Sequence, residues 1–145
     1  MSNKTLMPVR VFDFNLIPQD LLLQLKGDEF LNYNEKDLER LYLYGQIVAQ
    51  DKLTQIYALV DEGKKIRGVL WLSIDPITLW MYITLLVIDK SFQNYKENVK
   101  AIYEFCKKIK QRLGLRGLRA LTKTPKVLCK MFGAKRSKLT LVEIT

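Results

Sequence analysis

The stretch from Thr78 to Gly114, TLWMYITLLVIDKSFQNYKENVKAIYEFCKKIKQRLG, decides the fold of this chain. It begins with an apolar run at 79–88, rich in β-branched and aromatic residues, which is typical of a strand buried on both faces. After a polar break at 89–98, apolar residues recur at spacings of three and four, which predicts an amphipathic helix over 99–113 with Gly114 as its cap. The stretch is therefore a strand, a turn and a helix that returns over the sheet. In many folds such a turn presents backbone N–H groups to a phosphate.

The same patterns predict the elements on either side of this unit. Their order places two helices before a three-strand meander, which indicates an α/β (α+β) single domain over 1–145 with a mostly antiparallel sheet flanked by helices. We expect strands at 8–17, 54–60, 66–74, 115–122 and 138–144, and helices at 19–26, from an Asn34 cap towards Gln50, and at 126–132 before Gly133.

Composition excludes several classes of function. The 145 residues contain no histidine and two cysteines, so Ser-His or Cys-His catalysis is excluded and no metal site is expected. Cys106 falls on the apolar stripe of the long helix, which indicates a buried free thiol and a reducing compartment. The longest apolar run, about ten residues, is too short to cross a bilayer, and no signal-peptide core is apparent. We expect a cytoplasmic protein, or one within a virion assembled there.

Positive charge is the strongest compositional signal. The net charge is +9, and lysine and arginine gather between residues 96 and 138. Such a balance indicates attraction to nucleic acid or to an acidic protein surface. The alternative, a solvated lysine-rich face, stays open with equal weight. The residues predicted to form a polyanion- or partner-binding face of the long helix are Lys100, Lys107, Lys108, Lys110 and Arg112.

Element order, the strand–turn–helix unit and the ending LTKTPKVLCKMFGAKRSKLTLVEI together resemble the GCN5-related N-acetyltransferase (GNAT) superfamily. The resemblance covers about residues 9–144, with Gly133-Ala134 in the place of the family's Gly-Phe turn. It implies a central strand that splays from its neighbour, with the pantetheine arm of acetyl-CoA filling the gap beside Val87 and Ile88.

The resemblance also implies a phosphate cradle, the motif Gln/Arg-x-x-Gly-x-Gly/Ala, after the central strand. Glycine is needed there because backbone N–H groups must approach the phosphates closely. This chain has Gln93-Asn94-Tyr95-Lys96-Glu97-Asn98 instead. Lys96 and Asn98 replace the glycines, and Glu97 adds a negative charge. The predicted cofactor-binding residues are Val87, Ile88, Gln93, Asn94, Lys96 and Asn98.

Proton transfer departs from the family as well. The tyrosine that many members use to protonate the leaving thiolate corresponds to Cys129, a weak candidate acid for which semi-buried packing is the alternative. The family's general base is a carboxylate on the meander strands, where a base must come within about 3 Å of the amine or a bridging water. The acidic residues of that region all fall in predicted turns: Asp61, Glu62, Asp75 and Asp89.

Three hypotheses follow. The departures favour a GNAT-fold protein without cofactor that acts as a non-catalytic binding or structural part of a protein assembly, such as a phage virion. The alternative is a divergent N-acetyltransferase that uses acetyl-CoA with a phosphate site rebuilt around Lys90, Lys96, Lys123 and Lys126. A nucleic-acid-binding module is the weakest, because the aromatic residues it would use (Trp71, Trp80 and Tyr95) fit core packing better. The structural feature that separates the first two is a gap between the strand ending near Ile88 and the one starting near Arg116.

Overall fold

The computed structural model of the chain describes residues 5–26, 31–90, 92, 95–121 and 132–145. It is an α+β fold built on one five-stranded sheet in the order β1-β2-β3-β4-β5. The first three pairings are antiparallel, and β4 and β5 are parallel. The elements are β1 (Met7–Arg10), α1 (Gln19–Leu22), α2 (Glu35–Val48), β2 (Thr54–Val60), β3 (Ile66–Ile74), β4 (Trp80–Ile88), α3 (Tyr95–Leu113) and β5 (Gly117–Ala120).

The sheet separates two apolar layers. On one face, α1 and α2 pack with β2 and β3 around Phe14 and Leu22, both fully buried. On the other face, α3 packs through Ile102 and Cys106 against Leu70 and its neighbours. β4 contributes to both layers, Leu85 and Val87 to the first and Met81, Leu86 and Ile88 to the second. The prediction that the central strand is covered on both faces is therefore confirmed.

Local chemistry explains where the helices begin and end. Asn34 caps α2, since its side chain accepts from Asp37 N at 3.0 Å while the Asp37 carboxylate accepts from Asn34 N at 2.9 Å. Gly114 ends α3 with φ of 67°, as the sequence predicted. The start of α3 was predicted wrongly. The helix begins at Tyr95 rather than at Val99, because polar residues form its first turn, where exposed backbone N–H groups favour them.

Three predicted strands differ in the structure. β5 spans Gly117–Ala120 where 115–122 was predicted, with residue 122 outside the described ranges. β1 ends at Arg10 rather than extending to residue 17, because the Asp13 carboxylate accepts from Asn15 N at 3.0 Å and starts a 3₁₀ turn over Phe14–Leu16. That turn places Phe14 in the core instead of in the sheet.

The predicted final strand at 138–144 is wrong. Residues 133–145 have no regular secondary structure, and all are exposed. Alternation produces a strand only where a sheet edge pairs with it, and none of the described strands pairs with this segment. Of the predicted helix at 126–132, only Phe132 lies within the described residues; it is helical and stacks on Tyr103 of α3 with ring centroids 4.4 Å apart.

Candidate functional site

β4 extends beyond the strand that pairs with it. The β4–β5 ladder runs from Trp80↔Gly117 to Ile83↔Ala120, whereas β4 continues to Ile88. Among the described residues, no strand pairs with 84–88 on the side that β5 occupies lower down. Within the described residues, the second half of β4 therefore has a backbone edge that no strand pairs with on that side, which is where the gap was predicted. Residues 122–131, which follow β5, lie outside the described ranges.

Alternation within the antiparallel ladder shows which backbone groups face this gap. Asp89 N donates to Arg67 O at 2.8 Å, so these two residues form a hydrogen-bonded pair. Bonded and non-bonded pairs alternate along an antiparallel ladder. Val87 therefore directs its backbone groups to β3, while Leu86 and Ile88 direct theirs away from β3, towards the side of the predicted gap. Of the predicted contact residues, Ile88 is placed to offer backbone groups there and Val87 is not.

A β-bulge between β3 and β4 lies next to the last residue of β4 that pairs with β5. Trp71 pairs with Leu85 and Leu72 pairs with Ile83, so Thr84 is an extra residue in β4. Its hydroxyl lies 2.8 Å from Ser73 Oγ on β3. A bulge bends its strand and increases the local twist. The bend begins where pairing with β5 ends.

Below the bulge, side chains hold the strands together. Arg119 of β5 lies over the Trp80 ring, 3.9 Å from its centroid, and donates to Tyr82 Oη at 3.2 Å. These contacts connect β5 to the first part of β4. They also place a guanidinium group beside the last residues of the β4–β5 ladder.

The Gln24 side chain contacts the C-terminal end of β4. It lies in the 3₁₀ turn Leu23–Leu25 that follows α1. Its Nε2 donates to Ile88 O at 3.1 Å, and its Oε1 accepts from Lys90 N at 3.3 Å. One carboxamide therefore contacts both an acceptor and a donor at the end of β4.

The turn between β4 and α3 is also anchored from β3. Arg67 pairs with Asp61 at 2.9 Å and with Asp89 at 3.5 Å, and its guanidinium lies 5.7 Å from the Phe92 ring centroid. Phe92 N in turn donates to Asp89 O at 3.0 Å. Arg67 thus connects the β2–β3 hairpin to the start of the segment where a phosphate cradle is predicted.

Asn98, at the last glycine position of the family's cradle, faces the interior. It is 3% exposed, and its Oδ1 accepts from Leu6 N at 3.1 Å. Its side chain therefore joins α3 to the start of β1 and does not project from the first turn of the helix. Lys96 and Glu97 are exposed there. The other predicted cradle residues, Gln93 and Asn94, lie outside the described residues.

The candidate proton-transfer groups are the turn carboxylates and the Cys129 thiol, and both Asp61 and Asp75 form hydrogen bonds within the fold. The Arg67 hydrogen bond lowers the pKa of Asp61, and hydrogen bonds from Ile77 N and the Thr78 hydroxyl lower the pKa of Asp75. Carboxylates held this way are weak bases. Cys129 lies outside the described residues. Burial raises the pKa of the other thiol, Cys106, to about 12, which fits the predicted inert core cysteine.

The predicted basic face of α3 carries charge of both signs. Lys100, Lys108 and Arg112 are exposed. Lys107 pairs with Glu104 at 3.8 Å and lies 5.5 Å from the Tyr103 ring centroid. Lys110 and Arg112 fall in the last turn, where positive charge complements the helix dipole. The contacts of α3 itself therefore stabilise part of its positive charge, and that part needs no binding partner.

Metal-binding clusters and membrane-spanning helices are both absent from the described part of the chain. Within the described ranges, no group of three or more histidine, cysteine, aspartate or glutamate side chains is arranged to hold a metal ion. No helix in that same part of the chain has the length and apolar character needed to cross a bilayer.

Comparison with solved structures identifies the fold. A possible acetyltransferase from Clostridium difficile 630 superposes with a TM-score of 0.74 at 12% identity, covering 97% of this chain and 95% of that one. Glucosamine-6-phosphate N-acetyltransferase from Arabidopsis thaliana gives 0.65 at 16% identity, covering 97% and 98%. An integron cassette protein from V. cholerae gives 0.66 at 19% identity, covering 97% and 92%. No protein-family model and no curated protein matches this chain.

The chain therefore has the GNAT fold, as the resemblance implied. Sequence patterns missed Gln24 and Arg119, because each acts through a residue far away in the chain. A signal for Asn98 was present. It lies four residues before Ile102 on the apolar stripe of α3, which is the position of a buried side chain.

Proposed function

We propose that this protein binds acetyl-CoA in the gap beside β4 and acts as a divergent N-acetyltransferase on an amine. The observation that carries the proposal is the backbone edge of β4 beyond Ile83, where Leu86 and Ile88 face away from β3. An unpaired strand edge binds an extended ligand through main-chain hydrogen bonds. The two secondary amides of a pantetheine arm have that chemistry.

The orientation of Asn98 removes one of the two steric objections raised by the sequence. Because this side chain is turned towards Leu6, it does not project from the first turn of α3, and the leading N–H groups of a helix have no partner within the helix. A helix N-terminus favours anions, and the Lys96 ammonium can add a charge-assisted contact to a phosphate. When bound, acetyl-CoA would supply the acetyl thioester; Leu86, Ile88 and Lys96 would position it.

Calorimetric titration with acetyl-CoA at low and moderate salt tests the proposal. We expect saturable one-to-one binding in the micromolar range, several-fold weaker for Lys96→Ala and weaker at moderate salt. Lys100→Ala is the matched control, because Lys100 is also exposed one turn further along α3 and should leave the affinity unchanged. No heat at millimolar cofactor would contradict the proposal.

A second candidate function is the non-catalytic one, in which the fold serves as a scaffold within an assembly such as a virion. It is favoured by the commitment of Asp61 and Asp75 to structural hydrogen bonds and by the exposed lysines of α3. Its partner would be a polyanion or an acidic protein surface. Under this hypothesis, binding to DNA or heparin decreases steeply with salt, and Lys100→Glu with Lys108→Glu abolishes it while acetyl-CoA produces no heat.

A further inference from the structure

We propose that the Gln24 side chain competes with a bound ligand for the edge of β4, and so sets how tightly the gap holds an amide-containing cofactor such as acetyl-CoA. The inference rests on the proposed function, because it concerns the same gap. It assigns a role to a residue on a different element, 64 positions from Ile88 in the chain.

The contacts place the Gln24 carboxamide on the ligand's side of the strand. Ile88 directs its carbonyl away from β3, and that carbonyl accepts from Gln24 Nε2 at 3.1 Å. Gln24 Oε1 accepts from Lys90 N at 3.3 Å. The side chain therefore occupies the Ile88 carbonyl, which a neighbouring strand or an extended ligand would use instead, and it also satisfies Lys90 N, which lies beyond the end of β4.

The surrounding turn is fixed while the carboxamide is able to move. Leu22 and Leu25 on either side of Gln24 are 0% and 6% exposed and belong to the core under α1 and α2. Gln24 itself is only half-buried. A rotation about its side-chain bonds would free Ile88 O without moving the turn, and water would then satisfy the carboxamide.

The same contacts also fit a purely structural role, in which the Gln24 side chain stabilises the end of β4. The two roles make opposite predictions. If the Gln24 side chain only shapes the ligand site, removing it should weaken ligand binding. If it competes with the ligand, removing it should strengthen ligand binding. The lower part of the edge, at Leu86, is unaffected in either case, so binding is retained.

The affinity of Gln24→Leu for acetyl-CoA distinguishes them, with Gln24→Ala as a second variant and Gln19→Leu, at the exposed start of α1, as the control. We expect the dissociation constant to decrease about thirtyfold in both Gln24 variants, the factor for two hydrogen bonds of ordinary net strength that no longer need displacing. Gln19→Leu should change nothing. An unchanged or weaker affinity, with binding by the unmodified protein intact, overturns the competition alone; absence of binding in every protein overturns the proposed function with it.

Hydrogen exchange in the unmodified protein gives an independent readout. Saturation with acetyl-CoA should accelerate exchange of the Lys90 amide, because Gln24 Oε1 has left it, while it slows exchange at Ile88. A Lys90 amide that stays equally protected at saturation would show that Gln24 is not displaced, and the inference would be wrong.

Discussion

Replacing Asn98 with alanine tests whether this residue holds the fold together instead of binding phosphate. The substitution removes Oδ1, the acceptor for Leu6 N, and both residues are buried, at 3% and 5% exposed. A buried donor left without its acceptor costs about 1–3 kcal/mol. Alanine's higher helix propensity returns about 0.5 kcal/mol. The net loss is therefore about 0.5–2.5 kcal/mol, or a decrease of about 2–8 °C in Tm for a chain of this size.

Urea unfolding followed by circular dichroism measures this loss, with an unchanged m-value as evidence that only stability has changed. Glu97→Ala is the matched control, because the neighbouring side chain is exposed on the same turn of α3 and should stay within about 0.5 kcal/mol. If Asn98→Ala costs no more than this control, the buried hydrogen bond is not stabilising. The affinity for acetyl-CoA should remain within about threefold of the original, because the side chain faces away from the ligand's side.

Three further substitutions and measurements follow from single contacts. Gly45→Ala should cost about 1–3 kcal/mol, because the added Cβ would lie 2.7 Å from Cγ of the fully buried Phe14 ring; thermal unfolding measures it. Cys106 should resist iodoacetamide at pH 8 until denaturant is added, since burial raises its pKa to about 12; peptide mass spectrometry detects the label. Asp61→Asn should flatten the decrease in stability below about pH 4. The folded-state pKa of Asp61 lies under its ordinary value of 3.8, so its carboxylate stabilises the fold above that pH and loses this effect as the pH falls through the lowered pKa.

Each of these three predictions has its own control. Gly63→Ala should be tolerated, because the nearest atom to its added Cβ is Asp61 Oδ1 at 3.4 Å, and equal losses at Gly45 and Gly63 would contradict the packing argument. Denatured protein labels at Cys106 at once, and equal labelling in the native state would show that the thiol is accessible. Glu62→Gln, at an exposed hairpin position, is the control for Asp61→Asn and should leave the stability at acid pH unchanged. If stability still decreases with the original slope in Asp61→Asn, the Asp61–Arg67 ion pair is not the cause of the decrease.

The sequence correctly predicted those elements whose local apolar pattern matches the strands and core residues against which they pack. β2, β3 and β4 were predicted with the bounds they have, because apolar periodicity and Gly or Pro turns coincide there. β1 was predicted too long, because a side-chain hydrogen bond at Asp13 decides its end, and hydrophobic alternation does not report such bonds. The segment at 138–144 alternates but remains exposed, since strand formation depends on a partner edge that no local pattern specifies.

For the candidate site, the sequence indicated a region beside β4 and missed two side chains that contact this strand, Gln24 and Arg119. The strand–turn–helix unit predicted a gap beside Ile88, and the described β4–β5 ladder ends at Ile83↔Ala120. The family's motif counts Asn98 only as a replaced glycine, because a motif compares residue types, whereas the structure shows that its side chain faces the interior. Gln24 was missed, because a glutamine in a short helical segment carries no sign of the distant strand it contacts.

Amide hydrogen exchange of β4, measured by NMR with and without acetyl-CoA, tests the central claim most directly. Ligand pairing with the strand edge should slow exchange at Leu86 and Ile88, whose N–H groups face away from β3. The amides of Leu85 and Val87, already directed to β3, should exchange as before and serve as internal controls. Acetyl-CoA that leaves Leu86 and Ile88 unchanged at saturating concentration would contradict the claim that it binds along β4.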